Sequence, residues 1–163
     1  MVSSSSIVAT VVDPQGGLRV DVVTGSGFPL AFDAADAGTQ QSAPSPTEAL
    51  LAVLAGCTSM DVVSILRKKR QRATSYEIAV TGEKADEHPR VYTRIVIEHR
   101  IAGDVEPEAL RRSIELSATR YCPVSAMLSH GVTREHRYRL RRDGRDEVAA
   151  LVAVTGPQAA RVV

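Results

Sequence analysis

The chain has 163 residues, with 20 basic side chains against 19 acidic ones and only two cysteines. That length suits one domain, or one domain with a tail, and the near-neutral balance removes the electrostatic ground for a nucleic-acid partner. Two Phe, four Tyr and no Trp leave few platforms on which bases could stack.

Ile7 to Val12 is β-branched and apolar, and Asp13-Pro14-Gln15-Gly16-Gly17 turns the chain. Leu18 to Thr24 alternates, with Leu18, Val20 and Val22 on one face and Arg19 and Asp21 on the other. Gly25-Ser26-Gly27 turns again into Phe28 to Phe32, so the signals predict a three-strand meander. Asp33 to Pro44 is small and polar and reads as a surface loop.

Ser45 to Arg70 carries the strongest helix signal. Ser45 is a favoured N-cap, Pro46 occupies the first helical position, and Glu48 completes a capping box. Arg67, Lys68, Lys69 and Arg70 suit the negative pole of the helix dipole. Ala49 to Ala55 is apolar without a break, which predicts a helix buried on every side. A chain with about six strands supplies too little cover for that, so a partner copy, and hence a homodimer, is expected. Ser59, Asp61 and Ser64 interrupt the apolar run too early for a membrane span. The opening MVSSSSIV lacks the charged-then-apolar order of a signal peptide, so a cytoplasmic setting is expected, with no membrane partner.

Beyond the basic helix end, Tyr76, Ile78 and Val80 share one strand face. Val91, Thr93, Ile95, Ile97, His99 and Ile101 share a face of the next strand, opposite Tyr92, Arg94, Glu98 and Arg100. Asp86-Glu87-His88-Pro89 reads as the hairpin between them. Glu106-Pro107 opens a second helix to about Arg120, and Cys122 to Ser129 a short third one ended by Gly131. Val132 to Arg141 alternates as a last strand, with Val132, His136, Tyr138 and Leu140 on one face. Glu147 to Val152 reads as a short helix inside a C-terminal extension, residues 143–163, beyond a single domain over residues 1–142. Strands in runs rather than alternating with helices predict an α+β fold with antiparallel sheet.

Cys57 and Cys122 are the residues that could carry chemistry. Without export they point to thiol chemistry or burial rather than a structural disulfide. They stand 65 positions apart and in no CxxC pair, which excludes zinc ribbons and thioredoxin-like motifs. A lone Cys on an apolar helix is more often a small buried hydrophobe. Cys122 precedes Pro123 and so caps the short helix, where free amides stabilise a thiolate. Of the four histidines, His99 reads as a core residue and His130 as a helix end, while His88 and His136 read as turn and strand residues. None has ligand spacing, so neither a metal nor a cofactor is expected. Asp61, four residues after Cys57, shares its side of the helix.

PSPTEALLAVLAGCTSMDVVSILRKKR, followed by LSATRYCPVSAML, resembles the OsmC/Ohr family of osmotically induced and organic hydroperoxide resistance proteins, over about Leu18 to Leu140. The resemblance implies sheets wrapped around two long central helices in an intertwined homodimer. It also implies a thiol-dependent peroxidase for organic hydroperoxides: Cys57 as peroxidatic and Cys122 as resolving cysteine, with an external dithiol as reductant. Family peroxidases place a glutamate ten positions before the first cysteine, paired with an arginine. Here Thr47 holds that position and Glu48 is one later, with its helix-capping role as the other reading. Arg19 is the best-placed arginine, with an exposed charge beside Asp21 as its alternative. A branch of the family with an ill-defined substrate is closest in wording, which keeps open a second function. In that reading an apolar pocket binds a fatty or thioester-like ligand without catalysis.

Overall fold

The computed structural model describes residues 4–35, 40–142, 144–157 and 159. It divides into two compact units, residues 1–50 and 51–163.

The first unit is the expected meander. Strands β1 (Ile7–Val11), β2 (Val20–Thr24) and β3 (Pro29–Phe32) pair antiparallel in chain order. Asp13 Oδ1 accepts the N–H groups of Gln15 and Gly16, each at 3.1 Å, and so shapes the first turn. The following loop is tied at its ends: the Asp33 carboxylate accepts Ser42 N–H at 2.9 Å and Ser42 Oγ–H at 2.7 Å. Those bonds hold the Asp33 carboxyl below its usual range. The middle of the loop, residues 36–39, lies outside the described residues.

Helix α1 (Pro46–Lys68) begins as its sequence predicts. Glu48 accepts both Ser45 N–H at 2.9 Å and Ser45 Oγ–H at 2.8 Å, and Glu48 N–H donates back to Ser45 Oγ. The helix then runs into the second unit, where its buried residues are Leu54, Thr58, Val62 and Leu66. A spacing of four makes these a single stripe. The expected burial on every side is therefore not met within one chain: Val53 is 54% and Met60 75% exposed. By length and composition alone α1 could cross a bilayer. Its packing makes it a core helix instead, for Val62 and Leu66 join Ile101, Leu110, Ile114, Tyr138 and Leu140 in the hydrophobic core.

The sheet under that stripe has four strands in chain order: β4 (Arg72–Lys84), β5 (Tyr92–Asp104), β6 (Thr133–Arg141) and β7 (Val148–Thr155). Two features depart from the sequence reading. The β5–β6 pair is parallel, with Ile97 opposite His136 and His99 opposite Tyr138, so this sheet is mixed. A parallel neighbour needs a crossover, and the segment between β5 and β6 supplies one: α2 (Pro107–Leu116), a π-helical turn at Ser117–Tyr121, and α3 (Pro123–Met127). The second departure is β7, formed where a short helix is expected. It pairs antiparallel with β6 from Leu140↔Val148 to Arg134↔Thr155. Ladder pairing overrides the helix preference of its alanines.

The outer face of the sheet is charged. Glu77, Arg100, Glu98, Arg139 and Glu147 form one chain of ion pairs, and Glu83, Arg94, Glu135 and Arg137 another. Exposed pairs stabilise little, but they keep that face in water and leave the inner face to α1 and α2. Tyr92 falls on this outer face yet is buried, because its ring lies over Gly82, where a Cβ would come within 2.4 Å of it.

Candidate functional site

Both thiols belong to the second unit, and both are free. Cys57 comes from the middle of α1, next to the inward-facing Thr58. Cys122 caps α3: its Sγ accepts the Ser125 N–H at 3.3 Å, the sulfur counterpart of a serine N-cap. Thr58 Oγ1 donates to the same sulfur at 3.7 Å. Cys122 is 3% exposed, whereas Cys57 is half-buried.

The two side chains lie near each other. Cys122 and the Val124 N–H are both close enough to act on the Cys57 thiol. Burial pushes the Cys57 thiol up, and the bond to Cys122 pushes it further. The Val124 N–H works the other way, while the charges of Cys122 and Asp61 add to the rise. Asp61 also accepts Ser117 Oγ–H at 3.0 Å, which ties α1 to the π-helical turn preceding Cys122.

Arg19 and Glu48 lie in the other unit and are engaged there. Arg19 pairs with Asp21 at 2.9 Å and donates to Ser42 Oγ at 2.8 Å. Glu48 closes the capping box described above.

One residue that sequence reasoning passed over is buried within electrostatic range of Cys122. Arg134, on β6, is 1% exposed. Its Nη1 donates to the Val132 carbonyl at 3.2 Å and its Nη2 to Thr155 Oγ1 at 2.9 Å. Burial pushes its guanidinium down, and negative charge on Cys122 works against that. The signal was present: Arg134 falls in phase with Val132, His136, Tyr138 and Leu140, the inward face of the strand.

His136 and His99 continue inward from Arg134. Both are fully buried and held neutral, His99 pushed down to about 3 and His136 to about 4, chiefly by burial. His130 and His88 are exposed.

The fold and site thus define an α+β protein that brings a thiol on a long core helix against a second thiol capping a short one. Residues 38–137 match the family described as OsmC-like protein, and the chain belongs to that family. Protein YhfA of Escherichia coli K12 is 39% identical over 104 residues, covering 63% of this chain and 78% of YhfA. Among solved structures, an OsmC-like protein from Mycoplasma pneumoniae is similar with a TM-score of 0.72 at 18% identity, covering 86% of this chain and 99% of that one. An organic hydroperoxide resistance protein from Elizabethkingia anophelis is similar with a TM-score of 0.65 at 13% identity, covering 88% and 99%. At those identities the two structures speak for the fold.

Proposed function

We propose that the protein is a thiol-dependent peroxidase that reduces organic hydroperoxides, with Cys57 as the peroxidatic and Cys122 as the resolving cysteine. The observation that carries this reading is the nearness of the two thiols, one half-buried and the other buried at a helix cap. The Cys57 thiolate attacks the outer oxygen of the hydroperoxide; the O–O bond breaks, the alcohol leaves, and Cys57 becomes a sulfenic acid. The Cys122 thiolate then attacks that sulfur, an S–S bond forms, and hydroxide leaves as water after taking up a proton. An external dithiol returns the pair to thiols. The apolar surroundings on α1 favour an alkyl or aryl hydroperoxide over hydrogen peroxide, since the carbon part gains by leaving water. A homodimer completes the site in this reading, with the Glu48 and Arg19 of a partner copy brought to Cys57.

A second reading has an observation of its own. Within one chain the Cys57 thiol is pushed up, which disfavours the nucleophilic form and suits a pocket that binds an apolar or thioester-like ligand. A peroxide-consumption assay separates the two. With cumene hydroperoxide and dithiothreitol the wild type should turn over, and Cys57→Ser should lose at least a hundredfold. A wild type no faster than the protein-free blank overturns the peroxidase and leaves the binding protein.

A further inference from the structure

Two hydroxyls of the crossover segment bond back into their own helix. Ser113 Oγ–H donates to the Ala109 carbonyl and Thr119 Oγ1–H to the Glu115 carbonyl, each at 2.7 Å. Ser117 lies between them, fully buried, and its hydroxyl instead crosses to α1 and donates to the Asp61 carboxylate at 3.0 Å. The same residue opens the π-helical turn, where its carbonyl accepts the Cys122 N–H at 3.1 Å. A π turn holds one residue more than an α turn and is the rarer form. Relaxing it to an α turn would swing whatever follows by about 100° around the helix axis. Cys122 is the first residue to follow. Thr58, three residues before Asp61 on the same face of α1, donates to the Cys122 sulfur at 3.7 Å. Two bonds from one face of α1 therefore hold the segment that carries Cys122, and Thr58 is the chain neighbour of Cys57.

We propose that Asp61 and Ser117 are positioning residues for the thiol pair: their bond fixes the π-helical turn against α1 and so holds Cys122 where a disulfide with Cys57 closes. This rests on the peroxidase reading only in requiring that the two thiols form a disulfide. The gain is one of effective concentration, since a thiol already held near its partner loses less freedom when the bond forms. With oxidised dithiothreitol as electron acceptor, the Cys57 thiolate attacks one of its sulfurs and the ring opens to a mixed disulfide. The Cys122 thiolate then attacks the Cys57 sulfur. The protein S–S bond forms, and the mixed disulfide breaks with its electron pair on dithiothreitol. Each dithiothreitol thiolate set free takes up a proton that a protein thiol has lost, and two electrons have passed to dithiothreitol. Asp61 takes no chemical part in these steps, and its charge opposes the first by disfavouring the Cys57 thiolate. A carboxylate that hinders the nucleophile electrostatically is accounted for by the bond it accepts.

The test is a redox equilibrium, which needs no peroxide. The wild type and variants are equilibrated with reduced and oxidised dithiothreitol, and the disulfide fraction is read by mass spectrometry after acid quenching. Ser117→Ala should shift the equilibrium at least about fivefold toward the dithiol, a rise in potential of about 20 mV for a two-electron couple. Asp61→Ala should match it, and the double variant should shift no further than either single one. Asp61→Asn keeps an acceptor oxygen and should stay within about twofold of wild type. A bond that only stabilised the fold would lower the urea midpoints of the oxidised and reduced forms alike and leave this equilibrium in place. A folded Ser117→Ala shifted by less than about fivefold overturns the inference and leaves the thiol pair intact. An Asp61→Asn shifted as far as Asp61→Ala, or a double variant whose shift is the product of the two, overturns it too. If Ser117→Ala fails to fold, Asp61→Ala, at a half-buried position, decides by the same threshold. A wild type that forms no intramolecular disulfide overturns the reading beneath it as well.

Discussion

The hydroxyl of Tyr76 stands 2.6 Å from Nδ1 of His99, across the β4–β5 ladder and beneath helix α1. Burial keeps both groups neutral: the Tyr76 phenol is pushed up and the His99 imidazole down to about 3. With the phenol donating, Nδ1 accepts and the ring proton sits on Nε2, which has no partner among the described residues. Tyr76→Phe would leave a second buried ring nitrogen unsatisfied. It should destabilise the fold by about 1–3 kcal/mol, measured by urea denaturation at pH 7.5.

The same burial makes stability depend on pH. The folded values of His99 and His136, about 3 and about 4, lie below the ordinary 6.5 of an unfolded chain. Between those limits the unfolded state binds the extra protons, so stability rises with pH. The contribution is fully present above about 6.5 and is lost as pH falls toward 4 and then 3. The groups facing these rings are Tyr76, Arg134 and each other. Each histidine should subtract at most about 1.4 kcal/mol per pH unit below 6, and His136→Phe should flatten the urea-midpoint profile between pH 7 and 5. An unchanged profile in that variant would place the acid sensitivity elsewhere.

Brief exposure of the native protein to an organic hydroperoxide should yield an intramolecular Cys57–Cys122 disulfide. In Cys122→Ser the sulfenic acid at Cys57 has no resolving thiol, so sulfinic and sulfonic forms should accumulate. Intact-mass spectrometry reads both outcomes. Two free thiols in the treated wild type would speak against the catalytic cycle.

The exposed apolar face of α1, with Val53 and Met60 on it, is the ground for expecting a homodimer. Sedimentation at low micromolar concentration should give twice the mass of the 17.5 kDa chain. Met60→Lys should weaken the association by tenfold or more, since a charge would have to be buried in the interface. A folded wild-type monomer at that concentration would rule the dimer out.

Glu48 has a structural role in the capping box, and its proposed catalytic one can be separated from it. Nine residues along one helix displace it from Cys57 by roughly 13 Å and turn it to the opposite side. Any help to Cys57 must therefore come from a partner copy. Ser45→Ala should cost about 1 kcal/mol of stability with activity intact. Mixed Glu48→Gln and Cys57→Ser chains should regain activity that each parent lacks. Full activity in Glu48→Gln alone would leave Glu48 as a cap.

What the chain declares by itself is what depends on near neighbours in sequence. The start of α1 is legible because Ser45, Pro46 and Glu48 satisfy its free amides within one turn, and Cys122 is legible as a cap because Pro123 follows it. The meander and the β4–β5 hairpin are legible from turn residues between alternating runs. Tertiary structure decided the rest. Val148–Thr155 is a strand because β6 offers it a free edge, a fact held in no local propensity. The parallel β5–β6 pair exists because α2 and α3 carry the chain back over the sheet. The phase of its strand puts Arg134 on the inward face, but only the fold, with Ile95 and Thr155 flanking it on neighbouring strands, closes that face to water. Whether a charge is solvated or buried is set by what folds over it, and that information is spread along the whole chain.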